Sequence, residues 1–312
     1  MKILVIAIGG NSLIKDAKHQ SVPDQYAAVV ETVRHVTDLL ERGYRIVITH
    51  GNGPQVGFIL LRSEHSRGLL HQVPLDSIVA DTQGALGYQL QQALENEFRR
   101  RGLKKSVATV VTQTLVDESD IEFAKPTKPI GEFFSREQAE KRIRVEKWTM
   151  VEDSGRGWRR VVASPRPVRI IESEVVKHLV KDGYVVVAAG GGGIPVVADE
   201  KGILSGVPAV VDKDLASAVL AKEILADLLV ISTTVEKVSL DFGKPNERTI
   251  ALMTVAEARQ FIGEMHFEPG SMLPKVEACV QFIESGGREA IITSSKALSA
   301  ALDGQTGTHV IP

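Results

Sequence analysis

One cysteine, Cys279, is all that the 312 residues contain. No intramolecular disulfide can form, which suits a reducing compartment, and Cys279 reads as a small buried apolar residue. Long apolar runs are missing too. No stretch reaches the ~18 residues of a membrane-spanning helix. The N-terminal run from Ile3 to Ile8 stops at Gly9-Gly10, too short for a signal-peptide core. Neither sign of charge dominates: the formal net charge is −2, which excludes a general pull toward nucleic acid or an anionic membrane. The eight histidines are scattered, and no His/Cys cluster has metal-ligand spacing. No G-x-S-x-G elbow supports a serine hydrolase. No Gly-Lys-Ser/Thr phosphate loop occurs, and GNGPQVG at 51–57 only imitates a dinucleotide fingerprint, because its last gap is one residue too long and Pro54 sits inside the turn. A cytoplasmic protein with no nucleic-acid or membrane partner is expected.

What is present is ordinary globular material, 43% hydrophobic and 24% charged, long enough to bury a core without staples and to form about two lobes. Short β-branched runs alternate with longer amphipathic stretches. Strands are expected at Ile3–Ile8, Tyr44–Thr49, Ser106–Thr112, Tyr184–Ala189, Asp227–Ser232 and Ala290–Thr293. Helices are expected at Tyr26–Arg42, Gly87–Arg101, Glu172–Lys181, Leu215–Leu225 and Lys275–Ser285. This alternation, with strands apolar throughout, predicts an α/β protein whose mostly parallel sheet is covered on both faces. From about Asp117 to Pro167 the pattern fails. That stretch is charged and proline-rich and shows no clean strand–helix alternation, so it reads as an insertion. Phe133, Phe134, Trp148 and Trp158 argue against its being disordered.

Glycine-rich turns follow three of the expected strands: Gly9-Gly10-Asn11, Gly51-Asn52-Gly53-Pro54, and Gly190 to Gly193. Any one is a plain turn on its own. Together, at the carboxyl ends of sheet strands, they mark the crevice where α/β proteins bind ligands. Glycine there lets backbone N–H groups approach phosphate or carboxylate oxygens. Gly286-Gly287 precedes a strand and reads as a helix stop. Three lysines are positionally restrained: Lys213 between Asp212 and Asp214, Lys275 in GSMLPK, and Lys128 between Pro126 and Pro129. Composition alone leaves each of them a solvated surface charge, and leaves Asp212 and Asp214 as helix caps. His50, beside the second glycine turn, reads as a strand-end hydrogen-bonding residue.

Nine segments carry a resemblance that runs from end to end: AIGGNSL at 7–13, VITHGNGPQVG at 47–57, TQGALGY at 82–88, KPTKPIGEFF at 125–134, DSGRGWRRVVASP at 153–165, AAGGGGIPVV at 188–197, VDKDLA at 211–216, GSMLPKVEA at 270–278 and GTHVIP at 307–312. By them the chain resembles the carbamate kinases of the amino acid kinase family. The resemblance implies a three-layer α/β/α sandwich around a mainly parallel sheet of about eight strands. It implies an acceptor lobe at 1–184 that includes a protruding subdomain at 117–167, a nucleotide lobe at 185–312, and a homodimer. It gives Lys213 and Lys275 the phosphate chain and the transferred group, sets Lys128 over the site, and makes Asp214 the orienting carboxylate with Asp212 as a weaker helper. Gly9, Gly10 and Asn11 would cradle the group in flight, and Gly51, Asn52 and Gly53 would hold the acceptor. Asp212, Lys213, Thr233, Thr234, Met272 and Lys275 would contact the nucleotide.

Ala7 stands where acetylglutamate kinase-like relatives carry a lysine. Thr234, Leu273 and Ala163 depart from the usual Asp, Gly and Pro. The implied reaction is ATP + carbamate ⇌ ADP + carbamoyl phosphate, with Mg²⁺ travelling on the nucleotide and no covalent intermediate. A kinase of another small acid, or a nucleotide-binding regulator that has lost turnover, are the alternatives.

Overall fold

The first strand, β1 (Ile3–Ile8), is buried along its whole length. Its side chains alternate between two cores: Ile3, Val5 and Ala7 join one, and Leu4, Ile6 and Ile8 join the other. A strand that is apolar on both faces needs cover on both, and this fixes a three-layer arrangement. The computed structural model describes residues 1–9, 19–153 and 155–312.

After β1 come α1 (Val22–Glu41), β2 (Arg45–His50), α2 (Gly53–His65), α3 (Leu75–Arg101), β3 (Val107–Thr109) and β4 (Gln113–Val116). The segment expected to be an insertion holds α4 (Ile121–Ala124), β5 (Lys128–Phe134), α5 (Arg136–Glu146), β6 (Thr149–Glu152) and β7 (Trp158–Val162). Next are β8 (Pro167–Ile170), α6 (Ser173–Lys181), β9 (Val185–Val187), β10 (Ile194–Ala198), β11 (Leu204–Gly206), α7 (Lys213–Glu223) and β12 (Leu228–Thr233). The chain closes with β13 (Val238–Leu240), β14 (Arg248–Ile250), β15 (Leu252–Thr254), α8 (Val255–Gly263), α9 (Leu273–Glu284), β16 (Glu289–Ser294), α10 (Leu298–Leu302) and β17 (Thr308–Ile311).

The main sheet has eight strands in the order β15-β17-β16-β12-β1-β2-β9-β3. Its neighbours run parallel except at β16–β17. One core packs α6, α7 and α9 against the sheet, and the other packs α1, α3 and α10. The expected α/β sandwich with a mainly parallel sheet is what forms. Register then positions the site. Ile8 pairs with both His50 and Ser232, so β1, β2 and β12 end level, and Gly9, Gly51 and Thr233-Thr234 emerge along one edge.

Several elements differ from the sequence expectation. α3 begins at Leu75, not Gly87, because Gly84 and Gly87 lie inside the helix. Gly87 is needed there: a Cβ would sit 2.3 Å from the Thr109 methyl, where α3 meets β3. A second sheet, β11-β10-β4-β8, was not foreseen. The insertion is folded, with β5, β7 and β6 forming a three-stranded antiparallel sheet. α5 has a Ser135 capping box, a feature contributing about 1 kcal/mol. The aromatics are held by guanidinium groups: Arg142 lies 4.8 Å and Arg160 4.5 Å from the centre of the Trp148 ring.

Candidate functional site

Three helices start at the sheet edge where β1, β2 and β12 end. α2 begins at Gly53, α7 at Lys213, and α9 at Leu273 with Lys275 in its first turn. A helix start offers unpaired N–H groups and the positive end of its dipole, which favours anions. Asp212 caps α7, accepting from Asp214 N at 2.8 Å and Leu215 N at 3.3 Å, so the capping expectation holds for it. The helix is tied down behind the site. Ser217 Oγ donates to the Lys213 carbonyl at 2.6 Å and lies 2.6 Å from Thr49 Oγ1 on β2.

These elements enclose a cavity of about 250 Å³. Of the residues singled out in the sequence, Gly9, Gly51, Asn52, Gly53, Lys128, Asp212, Lys213, Asp214, Thr233, Thr234 and Lys275 line it. Met272 does not: it precedes α9 and packs against the core. Gly10 and Asn11 lie outside the described residues.

The charges are arranged around one carboxylate. Asp214, whose side chain is 3% exposed, sits between Lys213 Nζ at 2.8 Å and Lys275 Nζ at 3.0 Å. Lys275 donates a directed hydrogen bond to Oδ2. Lys213 forms a close ion pair with Oδ1, and among the described residues its Nζ has no other partner. Two ammonium groups sharing one carboxylate cannot both be fully compensated. At Lys213, burial followed by the charge of Lys275 outweighs Asp214, and the pKa falls. At Lys275, burial is the largest single influence, yet Asp214 and Asp212 together outweigh it and the pKa rises. Burial pushes the Asp214 carboxyl up, but the two lysines overcome it and hold it at about 2. The cluster thus sets two lysines against one carboxylate in the cavity wall. Lys128, arriving on β5, donates to the Val211 carbonyl at 3.2 Å and lies 3.6 Å from Asp212.

The opposite wall is locked by contacts that sequence reasoning did not assign. Asn52 Nδ2 donates to Thr82 Oγ1 at 2.8 Å. Gly191, in the left-handed region at φ 66°, approaches so closely that a Cβ would lie 2.1 Å from Asn52 Nδ2. Gln83 donates to the carbonyls of Thr112 and Gly190, both at 3.0 Å. Pro54, Val56, Pro129, Ile130, Val210 and Val211 complete the lining among the described residues. The four-glycine run signalled Gly191, but nothing local signalled the apolar residues.

His50 is buried, with Nδ1 3.1 Å from the Gly51 carbonyl, as its strand-end reading expected. Burial is the main cause that lowers its pKa from 6.5 to about 4; the Gly51 bond opposes this and Lys213 adds to it. Between pH 6.5 and 4 the unfolded chain therefore binds a proton that the folded chain refuses. Stability is unaffected above pH 6.5 and drops as pH falls through that window, by on the order of 3 kcal/mol. Urea midpoints measured from pH 7.5 to 4.5 should show this slope in the parent protein and a shallower one in His50→Asn. Equal slopes would refute the assignment.

The amino acid kinase family profile matches residues 2–294. The chain is 52% identical to a carbamate kinase-like protein of Escherichia coli, over 99% of both chains. It is 45% identical to a carbamate kinase of Pyrococcus furiosus, over 100% of this chain and 99% of the relative. Its fold superposes on a carbamate kinase of Giardia lamblia bound to AMP-PNP with a TM-score of 0.92, at 39% identity, covering 99% and 98% of the two chains.

Proposed function

The chain belongs to the amino acid kinase family, and from that premise we propose that it is a carbamate kinase, transferring a phosphoryl group reversibly between ATP and carbamate. The observation that carries this reading is the buried Lys213–Asp214–Lys275 cluster at the carboxyl edge of the sheet, with Lys128 of the neighbouring antiparallel sheet lining the same cavity 3.6 Å from Asp212. Phosphoryl transfer asks for positioning and charge neutralisation more than for covalent chemistry. Carbamate is already an anion, so no general base is required, and among the described residues the charged groups lining the cavity are three lysines and two aspartates.

In this reading, residues 1–184 hold the acceptor and residues 185–312 the nucleotide. Asn52 and Gly53 offer backbone N–H groups to carbamate, and Gly51, whose own N–H is bonded to the Ile8 carbonyl, holds that turn at the sheet edge beside it. Gly9 stands beside the transferred group, and Gly10 and Asn11 are assigned there by resemblance. Lys213 and Lys275 neutralise the oxygens of the phosphate chain, Asp214 keeps the two ammonium groups in place, and Lys128 closes over the acceptor side. Thr233 and Thr234 lie where β12 delivers the chain toward the nucleoside; Asp212 sets the α7 start, and Met272 precedes the α9 start.

Among the described residues, no group of His, Cys, Asp and Glu is placed to hold a metal ion by itself. The carboxylates of the cavity are engaged, Asp214 by two lysines and Asp212 by its helix and Lys128. That donor set fits Mg²⁺ held on the oxygens of ATP or ADP, where the ion would supply further charge neutralisation. By the same resemblance the protein works as a cytoplasmic homodimer. Among the described residues, no helix is long and apolar enough to cross a membrane.

The test is ATP formation from ADP, Mg²⁺ and carbamoyl phosphate, coupled to hexokinase. Robust production is expected, with no phosphorylation of N-acetylglutamate when ATP is supplied. Failure to make ATP while ADP still binds by calorimetry would favour the regulator reading and point to Thr234 and Leu273 for reversion.

A further inference from the structure

A second cavity, of about 800 Å³, lies where α2 and the start of α3 meet the antiparallel sheet of β5, β6 and β7. Among the described residues it shares no lining residue with the first cavity. The two lie back to back across one strand pair. β5 gives Lys128, Pro129 and Ile130 to the first, β7 gives Arg160, Val161 and Val162 to the second, and Ile130 is in register with Arg160.

Charge in this region is unevenly matched. Arg67 reaches Glu64 at 2.7 Å and Glu146 at 3.3 Å, and Arg142 reaches the same two carboxylates at 3.2 Å and 2.5 Å. The two glutamates are thereby balanced by two arginines. Among the described residues the cations lining the cavity are Arg67, Lys147 and Arg160, and Arg160 has no hydrogen bond or ion pair of its own; it stacks on the face of Trp148, 4.5 Å away. Stacking satisfies the face of a guanidinium but leaves its fork of N–H donors to solvent or to a ligand. Its pKa is lowered, by burial first, with Glu64 and Glu146 opposing from longer range. The cavity lining also includes Leu60, Leu75, Ile78 and Val161. A forked cation without an acceptor, beside an apolar wall in a cavity of this size, is the recognition chemistry of a small organic carboxylate.

We propose that this cavity is a binding site for a small organic monocarboxylic acid, with the carboxylate on Arg160 and the apolar body against Leu60, Leu75 and Ile78. The site stands independently of the phosphotransfer reading, because its readout is binding alone.

Calorimetric titration of the full-length protein with hexanoate tests it. Saturable binding at one site per chain is expected, unchanged by saturating Mg²⁺–ADP. Hexanamide, of equal size but uncharged, should bind at least about tenfold more weakly. Arg160→Gln should weaken hexanoate at least about tenfold, and Leu60→Trp, which fills the cavity without touching its charge, should do the same. The proposal is overturned if acid and amide bind equally, if Mg²⁺–ADP displaces hexanoate, if folded Arg160→Gln binds normally, or if neither hexanoate nor 3-phenylpropionate binds. The comparison of acid with amide uses the unaltered protein, so it stands even if a variant fails to fold.

Discussion

Lys213→Ala should lower the turnover of ATP formation by about 10²–10³, the usual cost of losing one preorganised electrostatic donor. Lys213 is 11% exposed, belongs to the first turn of α7, and lines the cavity with an ammonium group 2.8 Å from Asp214 and no other partner among the described residues. That position places it to meet an incoming anion. The substitution should leave the fold intact. Alanine is the best helix former, the Asp212 cap does not involve the Lys213 side chain, and Asp214 keeps its hydrogen bond to Lys275. Removing an ammonium group that burial already disfavours should cost little stability. The loss should appear mainly in kcat, because charge on the transferring group changes most in the transition state. Steady-state kinetics beside urea unfolding separate the two effects. An unchanged kcat would remove Lys213 from the chemistry.

Much of this arrangement was readable in the sequence, for reasons that differ between its parts. The runs at Ile3 to Ile8 and Leu228 to Ile231 announce buried strands because a doubly covered strand needs apolar residues at every position. Leu75 to Leu86 was hidden because Gly84 and Gly87 imitate a helix boundary, whereas close packing on Thr109 is what demands the second glycine. The start of α2 was hidden because Gly53-Pro54 reads as a turn, although Pro is at home in the first turn of a helix. The sheet β11-β10-β4-β8 consists of strands of three to five residues, too short for alternation to register. The antiparallel sheet of β5, β6 and β7 is tied by stacked arginines and aromatics, which have no period. At the site, turn glycines are visible locally, but the lysines are not. Asp214 and Lys275 are 61 residues apart, and only the family resemblance joined them before the fold brought them to 3.0 Å. Arg160, without an acceptor among the described residues, had no local signal at all, since lacking an acceptor is a property of the folded state.

The second large effect is expected at Asp214. Asp214→Asn keeps the shape of the side chain but leaves Lys213 and Lys275, 11% and 16% exposed, without their shared counter-charge. Breaking a buried ion pair from one side typically costs about 3–5 kcal/mol, because the remaining charge stays desolvated. The same reasoning separates this from an ordinary packing defect. If the cost comes from stranded ammonium groups, removing one of them should return part of it. Lys213→Met combined with Asp214→Asn should therefore be less destabilised than the two single variants predict by addition, with a coupling of about 1–3 kcal/mol. The pH dependence has a fixed sign. The folded Asp214 carboxyl is held at about 2, below its ordinary 3.8, so its contribution is complete above pH 3.8 and is lost as pH falls toward 2. The parent protein should lose stability across that acid window more steeply than Asp214→Asn. Urea unfolding of the parent, the two single variants and the double variant at pH 7 measures the coupling. Strict additivity would mean that Asp214 serves packing alone, and would leave the paired lysines without the carboxylate argued to hold them.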